Sequence, residues 1–134
     1  MIVVDTSVLA PLFIPGDSTA DIQRVLQKDP EWIAPPLWRS ELRNVLATQM
    51  RVRKLPLKVA VDVMSEAEEL MLESEFEPSS EIVLRLAYQT GATAYDCEFV
   101  ALAQLFDRPL VTQDRELITV FPETAMTVAE WLAS

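Results

Sequence analysis

The chain contains no histidine, and that single absence removes His-based triads, His general bases and most catalytic zinc sites. Its only two glycines, Gly16 and Gly91, cannot supply a glycine-rich phosphate loop or a dinucleotide fingerprint. Its one cysteine, Cys97, has no partner for an intrachain disulfide, which fits a reducing cytoplasm. No apolar run approaches the ~20 residues needed to span a bilayer. The opening Met1-Ile2-Val3-Val4-Asp5 has no basic region ahead of its apolar residues, and an acid interrupts them at once, so no targeting segment is expected. A cytoplasmic protein without a membrane partner is the expectation.

What is present describes one ordinary domain, residues 1–134, with half its residues hydrophobic and therefore able to bury a core. The net charge of −10 opposes nucleic-acid binding, because phosphate contacts need Lys and Arg. The distribution softens that objection. Arg39, Arg43, Arg51, Arg53, Lys54 and Lys58 gather in one stretch, whereas Glu66, Glu68, Glu69, Glu73, Glu75, Glu77 and Glu81 form an acidic run that reads as a solvated face.

Strand-like and helix-like segments alternate. Ile2-Val3-Val4 reads as a short buried strand ending at Asp5. Helices are expected over Thr6–Ile14, stopped by Pro15-Gly16, and over Ser18–Lys28, followed by a strand at Trp32-Ile33-Ala34. Two longer helices follow: 37–53, with Trp38, Leu42, Val45, Leu46 and Gln49 in period, and one from Pro56 to about Glu73, with a stripe of Leu57, Ala60, Met64, Ala67 and Met71. A Met stripe of this kind is core material. A strand stub at Phe76-Glu77-Pro78, a helix over Ser80–Gln89 stopped by Gly91, and a helix over 95–107 come next. The chain closes with a strand at Pro109–Thr112, a brief helix after Asp114, a weak strand near Ala125-Met126-Thr127 and a helical turn ending in Trp131. The alternation implies an α/β fold with a central, mostly parallel sheet of four or five strands, flanked by helices on both faces and joined by right-handed crossovers.

Four carboxylates stand out against this background. Asp5 follows the first strand and Asp114 follows the Pro109–Thr112 strand, so parallel strands deliver both to one sheet edge, the edge where ligands gather in open α/β sheets. Either acid can equally be a helix cap. Asp96 opens the Cys97–Phe106 helix on its inward side, where a cap is again the plain alternative. Glu41 lies in mid-helix, where capping cannot explain it, beside Leu37, Trp38 and Val45. A carboxylate buried there needs a cation, and Arg39 or Arg43 is the structural candidate.

Four converging acids repel one another and raise each other's pKa values, a conflict that a divalent metal resolves. Oxygen-only donors without His or thiolate select Mg²⁺ or Mn²⁺, and the chemistry that follows is metal-assisted phosphodiester hydrolysis.

These residues resemble the PIN-domain nucleases, and within them the VapC-like toxins of type II toxin–antitoxin pairs. The resemblance spans nearly the whole chain. It is carried by Val3-Val4-Asp5-Thr6-Ser7, by Ser40-Glu41-Leu42, by Thr93-Ala94-Tyr95-Asp96 leading into Val100-Ala101-Leu102-Ala103, and by Pro109-Leu110-Val111-Thr112-Gln113-Asp114. It implies that Asp5, Glu41, Asp96 and Asp114 are the metal-binding catalytic acids, with Asp5 and Asp96 as direct ligands. Ser7 and Thr112 would orient the carboxylates. Family members often carry another acid two positions after the fourth, where this chain has Glu116. The implied activity is Mg²⁺- or Mn²⁺-dependent endonucleolytic cleavage of RNA by water, leaving a 5′-phosphate. The implied partners are a cognate antitoxin and a second copy of the chain in a homodimer. Arg43, Arg51, Arg53 and Lys54 would then flank the RNA path. Leu12, Phe13 and Trp38 could offer an apolar groove to an antitoxin helix, but buried core is the more ordinary place for each of them.

Other readings of the same residues are weaker. An Asp-nucleophile phosphatase usually needs a second Asp two positions after the first, where Ser7 stands. A phosphoacceptor signalling domain wants a paired acid beside the first-strand Asp and a lysine after a late strand, and Thr6 and Gln113 supply neither. A non-toxin PIN nuclease of RNA processing, or a catalytically silent PIN-like partner-binding module, shares the resemblance without the toxin role.

Overall fold

Ile2, Val3 and Val4 are all fully buried. Successive strand side chains point to opposite faces, so this strand, β1 (Ile2–Val4), is covered on both sides. The computed structural model describes residues 1–134. After β1 come α1 (Thr6–Phe13), α2 (Thr19–Lys28), β2 (Trp32–Ile33), α3 (Leu37–Val52) and α4 (Leu57–Leu70). Then follow α5 (Ser80–Thr90), α6 (Ala94–Phe106), β3 (Leu110–Val111), α7 (Arg115–Val120), β4 (Ala125–Met126) and α8 (Val128–Ala133).

The sheet has four strands in the order β2-β1-β3-β4, and every pairing is parallel. The expected fifth strand at 76–78 is a single bridge one residue earlier, Ala34 with Glu75. Glu77-Pro78 cannot extend it, since proline has no N–H to donate to a ladder. Both α1 and α6 pack on β1, and α6 also packs on β3 and α5. One continuous core of 32 buried residues joins these layers, including Trp32, Trp38, Phe99 and Leu102.

Two boundaries differ instructively from the sequence expectation. Helix α6 begins at Ala94, because the Thr93 hydroxyl accepts the Asp96 N–H at 3.1 Å and caps it. Asp96 is therefore a first-turn residue and not the cap. Helix α4 ends at Leu70, short of the expected Glu73, with Met71 as its cap; the apolar stripe holds at Ala60, Ala67 and Met71, but Leu57 is 65% exposed at the helix start. No helix of the chain is long and apolar enough to cross a membrane.

The strand order creates a switch point. From β1 the chain crosses over to β2 on one side, whereas from β3 it continues to β4 on the other. The crevice between the carboxyl ends of two such strands is where α/β sheets bind ligands.

Candidate active site

The β1–β3 register pairs Val4 with Val111, so the next residues along, Asp5 and Thr112, face each other at that crevice. Asp5 is only 7% exposed and Thr112 is fully buried. The Thr112 hydroxyl donates to Asp5 Oδ2 at 2.5 Å and accepts the Asp114 backbone N–H at 2.9 Å. Ser7 does the same from the other side. Its hydroxyl donates to Asp5 Oδ1 at 2.5 Å and accepts the Gln113 N–H at 2.8 Å. Two hydroxyls thus lock the ends of β1 and β3 together around one carboxylate.

The Gln113 side chain adds a third tie, which the sequence reading missed. Pro11 lies inside α1 and has no N–H to give to the Ser7 carbonyl one turn back. The Gln113 amide donates to that carbonyl instead, at 2.7 Å. A proline in the first long helix is the signal that a carbonyl near the site needs an outside donor.

Each of the four acids is placed by a different device. Asp5 caps α1, accepting the Ser7 N–H at 3.1 Å, and Asp114 caps α7, accepting the Glu116 N–H at 2.9 Å. The capping role expected for these two is real, and it coexists with their place at the sheet edge. Glu41 is half-buried in α3, where its Oε1 accepts the Thr6 hydroxyl at 2.8 Å. Thr6 is itself buried and was not anticipated as a partner, because it lies 35 residues away in the chain. Asp96 stands in the first turn of α6. The amino ends of α1, α6 and α7 carry Asp5, Asp96 and Asp114, so partial positive charge from three helices accompanies the acids.

No side-chain cation pairs with any of the four, since the ion pairs of the chain all lie elsewhere. Arg39, expected as a partner for Glu41, is instead committed to Glu75 through two hydrogen bonds of 2.7 and 2.8 Å and to Glu68 at 2.9 Å. The pair holds the Glu75 carboxyl below the usual range, chiefly through the guanidinium hydrogen bonds. Arg43 forms no ion pair either.

The acids therefore face one another uncompensated. Burial pushes the Asp5 carboxyl up, against the Ser7 and Thr112 hydrogen bonds, and Asp114 adds to the rise. Burial likewise raises Glu41, with Thr6 opposing and Asp5, Asp96 and Glu98 adding. Burial raises Asp96, with Asp114 and Glu116 adding and Thr93 opposing. The four acids are thus linked in a closed ring of mutual repulsion. Glu98, two residues after Asp96, joins its margin without having been singled out from the sequence.

The donor set suits a hard divalent cation: carboxylate and hydroxyl oxygens only, with an excess of negative charge. As the side chains stand, no three acids close on one point tightly enough to enclose an ion. Uncompensated carboxylates turn to the nearest donor, and here Ser7, Thr112 and Thr6 supply those donors. A cavity of about 190 Å³ opens beside the centre, lined by Thr93, Asp96, Glu116 and Leu117 among others. The largest cavity, about 400 Å³, lies at the opposite edge, near Arg108, Pro109 and Thr124, and contains none of the four acids.

Leu12, Phe13 and Trp38 go to the core, the more ordinary of the two places expected for them, and form no groove. Trp38 is fully buried, and Leu12 and Phe13 pack partly on the core. The apolar surface lies instead between α3 and α4, in a groove of about 330 Å³ lined by Leu46, Met50, Val61 and Met64 with Arg43 at its side.

The all-parallel four-stranded sheet flanked by helices defines the α/β class of this domain, and the comparisons with known proteins agree with it. The PIN domain family matches residues 2–121, and the chain belongs to that family. The chain is 29% identical over 124 residues to Ribonuclease VapC3 of Pyrobaculum aerophilum, covering 90% of this chain and 95% of the relative. The crystal structure of PAE2754 from Pyrobaculum aerophilum superposes with a TM-score of 0.75 at 26% identity, covering 98% of this chain and 93% of that one. A toxin–antitoxin complex from Klebsiella pneumoniae shares the fold, with a TM-score of 0.67 at 17% identity over 96% of this chain and 98% of that one.

Proposed function

We propose that this chain is a metal-dependent endoribonuclease whose catalytic acids are Asp5, Glu41, Asp96 and Asp114, and that it is the toxin of a toxin–antitoxin pair. The observation that carries the catalytic part is the Asp5 carboxylate held at the β1/β3 switch point by Ser7 and Thr112, with Asp114 tied to the same Thr112 hydroxyl, Glu41 tied to α1 through Thr6, and no side-chain cation paired with any of them. The likeness to a protein named Ribonuclease VapC3 over nine-tenths of the chain supports RNA as substrate, and the fold shared with a toxin–antitoxin complex from Klebsiella pneumoniae supports the toxin role.

The four carboxylates would hold Mg²⁺ or Mn²⁺. When bound, such a cation supplies positive charge to the phosphoryl group and acidifies a water molecule. The chain's own groups do the rest. Ser7 and Thr112 keep Asp5 oriented with three of its four lone-pair sites engaged, which leaves one for a ligand. Thr6 holds Glu41 in reserve on the facing helix. The amino ends of α1, α6 and α7 favour the phosphate.

A cognate antitoxin and a second copy of the chain are the partners this reading entails. One observation favours a silent partner-binding module instead: no three acids converge as they stand. The two readings part in a cleavage assay. A panel of transfer, ribosomal and messenger RNAs is incubated with Mg²⁺ or Mn²⁺, with and without chelator. The ribonuclease reading expects cleavage that chelator abolishes and that leaves 5′-phosphate ends. It expects Asp5→Asn and Asp96→Asn to lose cleavage. Absence of cleavage with either cation, or variants as active as the parent, contradicts it.

A further inference from the structure

Arg115 opens α7 directly after Asp114, with Glu116 on its other side in the chain. It is exposed and forms an ion pair with neither of them, nor with any other acid. It lines a cavity of about 270 Å³ together with Ser18, Asp21, Thr112, Gln113 and Thr127. Thr112 follows β3 and Thr127 follows β4, so this cavity lies at the carboxyl edge of the sheet, one strand beyond the β1/β3 crevice. Neighbouring strands are only ~4.8 Å apart. Thr112 belongs to both places: its hydroxyl holds Asp5 and Asp114, and the residue also lines the cavity.

The hydrogen bonds of this lining leave donors without acceptors. The Ser18 hydroxyl accepts the Gln113 amide at 3.3 Å and gives its own proton to no group of the chain. The Thr127 hydroxyl accepts the Glu130 N–H at 3.0 Å and is likewise unspent as a donor. The guanidinium of Arg115 adds five N–H donors, none of them committed to an acid. The Gln113 amide already donates to the Ser7 carbonyl and to Ser18. The one acid of the lining, Asp21, is bonded to Arg24 at 3.4 Å. Unspent hydroxyl protons beside an unpaired guanidinium suit an anion with several acceptor oxygens. The other unpaired arginines have different surroundings. Arg43 borders the apolar groove between α3 and α4, and Arg108 lines the cavity at the opposite sheet edge beside Asp107, Glu123 and Glu130.

We infer that Arg115, with Ser18 and Thr127, binds an RNA backbone phosphate adjacent to the cleaved one. This rests on the ribonuclease reading above, which puts the cleaved phosphate at the acids. A chain of net charge −10 needs a cation where the strand leaves its acidic centre, and Arg115 supplies one from the turn that begins at Asp114.

The test compares the parent with Arg115→Ala, Arg115→Lys and Arg108→Ala on an RNA that the parent cleaves. Fluorescence anisotropy in chelator gives affinity across a salt series, and single-turnover cleavage in Mn²⁺ gives the half-maximal enzyme concentration. Arg115→Ala should weaken affinity about fivefold or more at low salt and flatten the salt slope by about 0.7, the share of one single-strand phosphate. It should raise the half-maximal concentration more than it lowers the saturating rate. Arg115→Lys should keep the parental slope, and Arg108→Ala, which removes the same charge at the far edge, should keep parental binding. Methylphosphonates placed singly beside the cleaved bond should weaken the parent at one position and weaken Arg115→Ala no further there. The inference is overturned if Arg115→Ala binds like the parent, if Arg108→Ala loses as much, or if the methylphosphonate and Arg115→Ala losses add at every position. If the parent cleaves no RNA, the ribonuclease reading fails first; if it cleaves and Arg115→Ala binds and cleaves alike, only the phosphate site fails.

Discussion

Thr112 gives its one hydroxyl proton to Asp5 and takes the backbone N–H of Asp114 in return, so a single buried side chain fixes two acids of the centre to adjacent strands. Asp5 and Asp114 owe their relative position to this exchange more than to any contact of their own.

Thr112→Val keeps the shape and removes both bonds. It leaves the Asp114 N–H unsatisfied and frees Asp5 to rise further in pKa. We expect a loss of about 1–3 kcal/mol in unfolding free energy and a large loss of cleavage. Thr112→Ser should restore most of both. Chemical denaturation and cleavage rates on the three proteins check this, and a Val variant equal to the parent in activity removes Thr112 from the site.

Glu41→Gln and Asp96→Asn should separate stability from function. Each removes a repelling charge from the ring at a site where burial already disfavours it. In chelator the variants should melt about 2–5 °C above the parent, whereas cleavage should be lost. Melting temperatures below the parent's would mean that the acids stabilise the fold and are not in conflict.

The pH dependence has a definite sign. Asp5, Glu41 and Asp96 titrate above the ordinary values of 3.8 and 4.5, so they add stability at low pH and lose it as pH rises through their folded values. Metal-free protein should therefore become more stable as pH falls from neutral through the raised folded values of these three carboxyls. Glu75 acts oppositely. Its lowered carboxyl contributes above 4.5, and that contribution is lost as pH falls through its lower folded value, so stability turns down again in stronger acid. Mg²⁺ or Mn²⁺ should flatten the neutral limb. Thermal melts across pH, with and without cation, measure this, and a metal-free protein most stable at pH 7 would contradict it.

Arg39 and the distal cations should behave differently. Arg39→Ala breaks the bidentate pair with Glu75 and should cost about 1–3 kcal/mol of stability without changing the catalytic rate of the folded protein. Arg51, in the last turn of α3, and Arg53, its cap, lie about 15 to 18 Å along the helix axis from Glu41. Replacing both with Ala should leave stability unchanged, weaken RNA binding and flatten its salt dependence. An unchanged salt slope would exclude them from the RNA path.

Much of this was legible in the sequence because local signals agreed. Pro and Gly punctuation, capping residues and period-matched apolar residues placed all eight helices, and apolar runs followed by an acid placed β1 and β3. The Thr93-Ala94-Tyr95-Asp96 spacing also carries the capping pattern that makes Thr93 the cap. What was not legible is long-range. Thr6 meets Glu41 across 35 positions, Arg39 chooses Glu75 across 36, and Gln113 reaches the Ser7 carbonyl across 106. Periodicity says which face of an element is buried but not which distant polar group it meets.

The central claim is that Asp5, Glu41, Asp96 and Asp114 act together as one cation site. Calorimetric titration of Mn²⁺ into the parent, Asp5→Asn and Asp96→Asn tests it most directly. The account predicts saturable binding to the parent, coupled to proton release near the acid limb, and loss of that binding in both variants while they remain folded. Binding to both variants with parental affinity would contradict it.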